Sequence, residues 1–331
     1  MKIIVDAMGG DNAPLEIIKG CIDAKKEYNI GIILSGNKEK IEKCASENNL
    51  NIEGFEILNA TQEISMEESA TDIVKAKSDS SMAVGLKAVR EGKADAFASA
   101  GNSGALVVGA TTIVKRIKGV KRVCFCAVIP SENGFSMLTD TGANTECRPE
   151  MIEQFAFMAS VYMKKVMDVN LPRVGLLNCG TEEHKGTQMH IEAFELMKNN
   201  KDLNFIGNVE GRDLPSNTAD IIVADGFTGN AALKTYEGVA KVLMGKVKSV
   251  FSKNLLTKIA ALIVMPEIKK LKKEMDYNEY GGAPIIGASK PVFKIHGSAN
   301  AKTVKNAIRL TIKYVESGAI ESIQTSLDKG W

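Results

Sequence analysis

The sequence predicts an α/β protein with a mostly parallel sheet and helices on both of its faces. Two observations lead to this fold class. Short apolar runs typical of buried strands alternate with helical segments along most of the chain. Four of these runs stop at short loops rich in Gly, Asn, Asp, Ser or Thr, and each loop is followed by residues with helical character. Strand–loop–helix units that repeat in this way are typical of parallel sheets.

The elements follow from the apolar pattern in chain order. Residues 2–7, with the apolar run at 3–5, indicate a buried strand, and residues 14–27 follow it as a helix. A second strand at 30–35 precedes a helix at 38–47, for which Asn37 is the predicted N-cap. The later predicted strands are 55–59, 94–98, 123–129, 173–177, 204–207, 221–223 and 292–295, and the later predicted helices are 80–91, 151–167 and 188–198.

The four loops are the strongest functional signal in the sequence. They occupy residues 6–11, 100–105, 178–186 and 225–230. Loops at the carboxyl ends of parallel strands gather in one crevice, where ligands bind. Glycine lets the backbone approach a ligand closely, and free N–H groups at helix starts favour an anion. Together the loops predict a site for a large anionic ligand, whereas any one of them alone has the alternative of an ordinary connecting turn.

The composition is that of an ordinary globular protein. Of the 331 residues, 44% are hydrophobic and 25% are charged, and the formal net charge is +2. A charge this small gives no general attraction to nucleic acid. Asp6 interrupts the first apolar run, so the N-terminus is not a secretory signal, and the longest apolar run, 259–265, is too short to span a bilayer. The sequence therefore predicts a cytoplasmic protein.

The domain organisation follows from the same rhythm. No repeat, low-complexity tract or Pro/Gly/Ser-rich linker divides the chain, so residues 1–331 are predicted to form a single α/β domain, as one body or as two lobes around a cleft. Residues 233–273 depart from the rhythm, because they carry apolar residues at helical spacing. From 241 to 273 there are nine lysines and one acid, so the segment has a local charge of +8 (nine minus one).

This segment is predicted to be a protruding, lysine-flanked amphipathic helical hairpin. Helices with an apolar face and flanking lysines suit an anionic membrane surface. A solvent-exposed hairpin or a dimer contact is the alternative interpretation. Membrane binding and dimerisation can also hold together, because a dimer could present both apolar tips on one side.

Several familiar catalytic motifs are missing from the sequence. It contains no G-x-x-x-x-G-K-[ST], no G-x-G-x-x-G after a strand and no G-x-S-x-G. The three histidines are the few candidates for a general base. No cysteine has further metal ligands nearby, so no metal or other cofactor is expected. The sequence thus predicts a phosphate-binding cleft without an obvious protein nucleophile.

Five segments carry a resemblance to a known family. They are Ile-Val-Asp-Ala-Met-Gly-Gly-Asp-Asn-Ala-Pro at 4–14, Ser-Ala-Gly-Asn-Ser-Gly-Ala at 99–105, Ala-Asp-Gly-Phe-Thr-Gly-Asn at 224–230, Gly-Gly-Ala-Pro-Ile-Ile-Gly at 281–287 and Lys-Ile-His-Gly-Ser at 294–298. With them the chain resembles, nearly end to end, the bacterial acyl-[acyl-carrier-protein]:phosphate acyltransferases of phospholipid synthesis. The resemblance implies a dimeric fold akin to the isocitrate and isopropylmalate dehydrogenases. It also implies that a long-chain acyl thioester of the carrier protein reacts with inorganic phosphate to give acyl phosphate.

The resemblance assigns roles to residues of the four loops. Phosphate is itself the nucleophile, so the site must bind a dianion beside a thioester and stabilise the oxyanion that forms. Lys185 and Asn230 are expected to hold phosphate and the oxyanion, and His184 to orient phosphate or to accept its proton. Asp6 is expected to brace the first loop. The other residues expected to bind phosphate or substrate are Gly9, Gly10, Asp11, Asn102, Ser103, Gly104, Asn178, Asp225, Gly226, His296 and Ser298, with backbone amides around Gly180, Gly186 and Gly229.

Two surfaces are predicted to bind partners. Acyl carrier protein is acidic, and a cluster of five cations is a candidate docking site for it, with an ordinary solvated face as the alternative. The cluster consists of Lys115, Arg116, Lys118, Lys121 and Arg122. The hairpin is expected to hold the protein peripherally at the membrane through Leu255, Leu256, Ile259, Leu262 and Ile263. The resemblance also implies a homodimer and delivery of acyl phosphate to an integral glycerol-3-phosphate acyltransferase.

Three rival interpretations stay open at this point. An acyl-CoA phosphotransacylase would perform the same chemistry on a different thiol carrier. A dehydrogenase of the isopropylmalate type is suggested by His-Gly-Ser-Ala at 296–299 and Thr-Gly-Asn at 228–230, but residues 231–234 offer no carboxylate for a divalent metal. The non-enzymatic rival is a membrane-bound scaffold for acyl carrier protein.

Overall fold

Eleven strands form one sheet in the computed structural model, which describes residues 1–274 and 281–331. They are β1 (Lys2–Asp6), β2 (Gly31–Gly36), β3 (Glu56–Asn59), β4 (Ala96–Ser99), β5 (Cys124–Ser131), β6 (Gly134–Thr139), β7 (Arg173–Asn178), β8 (Asn204–Glu210), β9 (Ile221–Val223), β10 (Ala283–Ile286) and β11 (Val292–Lys294). Their order across the sheet is β3-β2-β1-β4-β11-β10-β5-β6-β9-β7-β8. Seven of the ten neighbouring pairs are parallel, which confirms the mostly parallel sheet.

Helices cover both faces of this sheet. They are α1 (Leu15–Tyr28), α2 (Lys38–Glu47), α3 (Ser81–Arg90), α4 (Ser103–Gly109), α5 (Pro149–Val166), α6 (Gln188–Asn199), α7 (Gly226–Phe251), α8 (Leu255–Glu274), α9 (Ala301–Glu316) and α10 (Ala319–Asp328). Successive side chains of a strand point to opposite faces. Accordingly, Ile3 packs in a core with α1, α5 and α9, whereas Ile4 packs in a separate core with α3 and α4. The predicted α/β fold class is confirmed.

The element predictions hold with shifts of a few residues at the ends. The Asn37 cap is confirmed, since its Oδ1 accepts a hydrogen bond from Lys40 N at 2.9 Å. The segment predicted as a helical hairpin forms two successive helices, α7 and α8, joined by residues 252–254. Its start differs, because α7 begins at Gly226 rather than at 233. Strands β6 and β10 and helices α4, α9 and α10 had no predicted bounds.

The sheet reverses direction in its middle. Strand β10 is antiparallel to both β11 and β5, and β5 is antiparallel to β6. Strands β6 to β9 therefore run opposite to β1 to β4, and the loops that follow the two groups leave from opposite edges of the sheet. The four glycine-rich loops can therefore meet in one crevice, as predicted, only if another element connects these two edges.

Helix α7 is that element. Its first residue lies at the edge where β6 ends, because Gly226 N donates to Asn144 O at 2.7 Å. Ten residues later it reaches the other end of β5, where Tyr236 OH donates to Pro130 O at 2.8 Å. The helix thus runs across the sheet face from one edge toward the other.

The start of α7 rests on the loop after β6. Asp140 is buried, and its carboxylate accepts hydrogen bonds from the backbone N–H groups of Phe125 at 2.9 Å and Asn144 at 2.7 Å. Gly229 packs on the other side of this residue, since a Cβ at Gly229 would lie 2.0 Å from Asp140 O. Only glycine fits here, and the first turn of α7 is fixed against the sheet.

The apolar residues of the hairpin face solvent. Leu255, Leu256, Ile259, Leu262 and Ile263 are between 49% and 78% exposed. Burying such side chains is worth roughly 1.5–3 kcal/mol each, so this surface is suited to contact with another apolar phase. Among the described residues, no helix is both long enough and apolar enough to cross a membrane.

Glycine 229 provides a test of the α7 contact. The Gly229→Ala variant should lose about 1–3 kcal/mol of unfolding free energy, because its methyl group overlaps the Asp140 carbonyl. Gly238 lies in the same helix, with nothing within 4 Å of its Cβ position. Gly238→Ala should therefore gain up to about 1 kcal/mol, since alanine favours a helix interior. Urea unfolding of both variants measures the difference, and equal stabilities would contradict the contact.

Candidate active site

The first two glycine-rich loops are joined at their bases. Asp6, at the end of β1, is buried and accepts hydrogen bonds from Ser99 Oγ at 2.7 Å and Met8 N at 3.1 Å. Ser99 Oγ in turn accepts from Gly101 N at 3.0 Å. A Cβ at Gly9 would lie 2.5 Å from the same Gly101 nitrogen. Asp6 therefore braces the loop as predicted, and burial raises the pKa of its carboxyl.

The loop after β11 is tied to the same pair of loops. Asp11 N donates to Gly297 O at 2.8 Å, and Asn12 Nδ2 donates to Ala299 O at 3.1 Å. Gly10 has φ of +99°, and a Cβ at this position would lie 2.9 Å from Gly297 O. The loops after β1, β4 and β11 therefore form one wall, which needs glycine at position 10.

This wall lines a cleft of 470 Å³ that is closed on its other side by α7. Residues from the three loops and from the first turn of α7 meet in it. The predicted site residues that line the cleft are Asp11, Ser103, Asn230, His296 and Ser298. Thus loops that leave the sheet at opposite edges do contribute to one cavity, because α7 carries Asn230 across the sheet face.

Lys294 is a cleft residue to which the sequence analysis gave no role. It lies half-buried at the end of β11, and its Nζ donates to Ala100 O at 3.0 Å and Ile295 O at 2.6 Å. Burial lowers the pKa of Lys294 to about 8, and the carboxylates of Asp6 and Asp11 act in the opposite direction. Among the described side chains, none forms an ion pair with this amine within 4.0 Å. An anion in the cleft would compensate its charge.

His296 and Ser298 form a hydrogen-bonded pair in the same cleft. Ser298 N donates to His296 Nδ1 at 3.3 Å, and Ser298 Oγ lies 2.9 Å from that nitrogen. The backbone donor assigns the imidazole proton to Nε2. Burial lowers the pKa of His296, and the charges of Lys294 and Lys234 act in the same direction, whereas the carboxylates of Glu237 and Asp11 oppose them. The lowered pKa favours the neutral form of the imidazole.

Asn102 shapes the cleft without lining it. Its Oδ1 caps α4 by accepting from Ala105 N at 3.0 Å, and its Nδ2 donates to three carbonyl groups of residues 65–68 at 3.1–3.3 Å. The amide predicted as a ligand donor is therefore satisfied within the protein. Ser103, the next residue, faces the cleft, whereas Gly104 does not line it.

The loop after β7 lies on the other side of α7. Asn178 and Gly186 line a second cavity, of 1020 Å³, together with Phe227 and Thr228 of the first turn of α7. Asn178 Nδ2 donates to Lys185 O at 3.1 Å, which closes the loop on itself. The loops 178–186 and 225–230 therefore meet, as predicted, but in a cavity separate from the cleft.

The three loop residues expected at the phosphate site differ in their surroundings. Gly180 is buried, His184 is exposed, and the Lys185 side chain is 42% exposed with its Nζ 3.9 Å from Glu182 Oε1. The structure does not bring Lys185 and Asn230 into one cavity. Asn230 faces the cleft, and the loop of Lys185 adjoins the opposite side of the same helical turn.

The first turn of α7 keeps its own amides occupied. Asp225 caps the helix, since its Oδ1 accepts from Phe227 N at 3.0 Å and Thr228 N at 2.9 Å. Gly226 N donates to a carbonyl of the loop after β6, and Gly229 N donates to Asp225 O at 2.9 Å. The amides expected around Gly229 as part of a phosphate cradle are instead satisfied by the N-cap residue and its neighbours.

The five cations of the predicted docking cluster are all exposed, in the connection between α4 and β5. Ile117 and Val120, which lie between them, are buried and turn the charged side chains outward. Arg116 and Arg122 both donate to Lys121 O. The cluster therefore forms one basic surface patch.

Comparison with known proteins places the chain. A family model described as fatty acid synthesis protein matches residues 1–322. A phosphate acyltransferase of Thermoanaerobacterium thermosaccharolyticum is 44% identical over 328 residues, which cover 99% of this chain and 97% of that protein. A phosphate acyltransferase of Alkaliphilus oremlandii is 45% identical over 323 residues, 98% and 96% of the two chains.

Solved structures share the fold at low sequence identity. A phosphotransacetylase from Streptococcus pyogenes superposes with a TM-score of 0.65 at 17% identity, over 95% of this chain and 94% of that one. A 4-hydroxythreonine-4-phosphate dehydrogenase from Klebsiella pneumoniae gives 0.54 at 13% identity, over 96% and 99%. Identities this low show the fold alone, and they confirm the expected dehydrogenase-like α/β architecture.

Proposed function

Because the chain belongs to the fatty acid synthesis protein family of phosphate acyltransferases, we propose that its acyl donor is a long-chain acyl-[acyl-carrier-protein]. The chain is an acyltransferase, and phosphate is its acceptor. The acyl phosphate product would supply phosphatidic acid and membrane phospholipid synthesis. The cleft beside α7 carries this proposal, because it unites cationic and hydrogen-bonding groups around a space large enough for phosphate and a thioester.

The cleft supplies the groups that a phosphate nucleophile needs. The amines of Lys234 and Lys294, the amide of Asn230 and the hydroxyl of Ser298 line it. Phosphate dianion attacks the thioester carbonyl carbon, the new C–O bond forms, the C–S bond breaks, and the carrier's thiolate leaves. The protein contributes position and charge rather than a covalent nucleophile. This chemistry agrees with a sequence that lacks the familiar nucleophile motifs.

The first turn of α7 is proposed to hold the reacting carbonyl. Asn230 would donate to the oxyanion from the cleft side, and Lys185 would stabilise the same charge from the loop after β7. His184, exposed on that loop, would orient phosphate or accept its proton. Phosphate itself would lie beside Lys294 and the His296–Ser298 pair.

Two exposed surfaces are proposed to bind the partners. The basic patch at 115–122 complements an acidic carrier protein, and steering by such a patch raises the association rate. The exposed apolar hairpin would hold the protein peripherally at the cytoplasmic membrane surface, close to an integral glycerol-3-phosphate acyltransferase that consumes acyl phosphate. A homodimer would place two hairpins on one membrane.

The central test is a purified assay with matched variants. The wild-type protein should consume acyl-[acyl-carrier-protein] thioester only when phosphate is present, and faster than acyl-CoA at equal concentration. Lys185→Ala and Asn230→Ala should each lower turnover by ~10²–10³, because each removes a donor to the oxyanion. Lys201→Ala, at an exposed lysine outside both cavities, is the control. Near-normal rates in both site variants would remove the assignment, and phosphate-independent binding without turnover would favour a scaffold.

The pH dependence of phosphate binding tests Lys294. The pKa of its amine is lowered to about 8, so the KM for phosphate should rise as the pH increases above 8 and the charge is lost. Lys294→Arg keeps a cation at high pH and should remove that rise. Steady-state kinetics between pH 7 and 9.5, corrected for phosphate-free hydrolysis, measure this rise. The KM for phosphate should increase at most roughly tenfold for each pH unit above 8. A KM that rises equally in both proteins would contradict a contact between Lys294 and phosphate.

Charge reversal tests the basic patch. The double variant Lys121→Glu/Arg122→Glu should raise the KM for acyl-[acyl-carrier-protein] at low salt and leave the KM for acyl-CoA unchanged. The control, Lys164→Glu/Lys165→Glu, makes the same charge change at two exposed lysines of α5. If the two double variants behave alike, carrier protein docks elsewhere.

Liposome co-sedimentation tests the hairpin. Ile259→Glu/Leu262→Glu should release the protein from anionic liposomes while the activity on soluble substrate persists, because charges replace two apolar contacts with lipid. Leu171→Glu changes an apolar residue that is 72% exposed but outside the hairpin, and it should still sediment. Unchanged sedimentation of the hairpin variant would exclude this surface.

A further inference from the structure

The second cavity has a more apolar lining than the cleft. One wall is the face of α7 that carries Thr228, Ala232, Val239 and Leu243 at helical spacing. The facing wall comes from the end of β7 and the turn after β8, with Leu177, Leu214 and Pro215. Its volume of 1020 Å³ exceeds that of the cleft, 470 Å³.

Several of its apolar side chains are left in water. Phe227 is 70% exposed, Val239 is 62% exposed and Leu243 is 60% exposed. Leaving them uncovered is unfavourable, and a contiguous apolar surface of this kind marks a place where an apolar ligand or partner binds. None of the described residues covers these side chains, so the cavity is suited to an apolar ligand or partner.

Polar residues are concentrated at one end of the cavity, and Arg212 and Thr235 also line it. Asn178 and Gly186, from the loop that carries Lys185, lie there beside Thr228 and His190, the latter from the first turn of α6. Thr228 and Asn230 are two residues apart in the first turn of α7 and project to opposite sides of it, so the polar end of the cavity and the cleft lie on the two sides of this turn. The other end, at Leu243, is 15 residues further along α7, or about 22 Å, in the direction of the exposed hairpin.

We propose that this cavity holds the acyl chain of the substrate, with the thioester carbonyl at the first turn of α7 and the methyl end near Leu243. The inference rests on the proposed function, since it assumes a long-chain acyl donor. Three observations favour this occupant over a protein segment. The cavity extends along one helix, its lining is mostly apolar with polar groups beside the proposed reacting carbonyl, and its far end points to the surface proposed to touch lipid.

If the acyl chain lies in this cavity, the dependence of kcat/KM on acyl-chain length reports on the contacts made there. Each methylene that leaves water contributes about 0.8 kcal/mol, which is roughly fourfold in kcat/KM. A bulky side chain far from the polar end should block only the distal part of a long chain. Ala240 is suitable, because it is half-buried, lines the cavity and lies three turns beyond Thr228.

The experiment compares Ala240→Trp with Val242→Trp. Val242 is on the same helix, is 63% exposed and does not line the cavity. Ala240→Trp should lower kcat/KM for the palmitoyl thioester at least about tenfold, the equivalent of two methylenes, and leave the butyryl thioester unchanged. Val242→Trp should change neither value. Equal losses on both thioesters, or no loss on either, would overturn the proposal.

A binding measurement separates this inference from the proposed function. Fluorescence of cis-parinaric acid should rise on binding to wild-type protein and to Val242→Trp, but much less with Ala240→Trp, at equal melting temperatures. If no thioester is consumed by the wild-type protein, the proposed function fails, while parinarate binding still decides whether the cavity takes an acyl chain. If Ala240→Trp instead changes the oligomeric mass and not the fatty-acid binding, a second copy of the chain covers the cavity and the proposal is wrong.

Discussion

The first turn of α7 rests on the backbone of Asp140 at a distance that admits no side chain at position 229. The contact fixes where the neighbouring side chains point. Asn230 lines the cleft that holds Lys294 and the His296–Ser298 pair, and Thr228, two residues earlier, lines the more apolar second cavity. One helical turn therefore separates two environments that the proposed reaction has to bring together, a binding place for a dianion and one for a hydrocarbon chain.

Buried carboxylates fix the loops that surround the start of α7 and the cleft. Asp6 and Asp140 are both buried, and burial raises the pKa of each, while hydrogen bonds act in the opposite direction. Their partners are backbone N–H groups and nearby hydroxyl or amide side chains, so each aspartate fixes a loop rather than facing the ligand. Lys294 is the opposite case, since carbonyl oxygens satisfy two of its protons and its charge remains available to the cleft.

Much of the fold could be predicted because its signals are local. Apolar runs indicated the strands, and a polar residue before a helix identified the Asn37 cap. The reversal of the sheet at β10 and β6 could not be predicted, since direction depends on pairing between distant segments. The loops of Lys185 and Asn230 follow the adjacent parallel strands β7 and β9, but the sequence did not reveal that α7 turns Asn230 to the cleft on its other side. Lys294 was recognised only as part of the segment 294–298 and had no predicted role. Hydrophobic periodicity does not reveal that an amine at the end of a strand is half-buried in a cleft.

The division of the site by α7 also explains why a sequence without familiar nucleophile motifs suits acyl transfer. Phosphate carries its own nucleophilic oxygen, and a thiolate leaves without needing a strong acid, so the largest remaining demand is to hold two unlike substrates together. A single pocket could not do this well, because an apolar wall opposes a dianion and a cationic wall opposes a hydrocarbon. A helix that presents Asn230 and Lys234 to the cleft and mostly apolar residues to the second cavity meets both demands, and Gly229 sets the position of that helix.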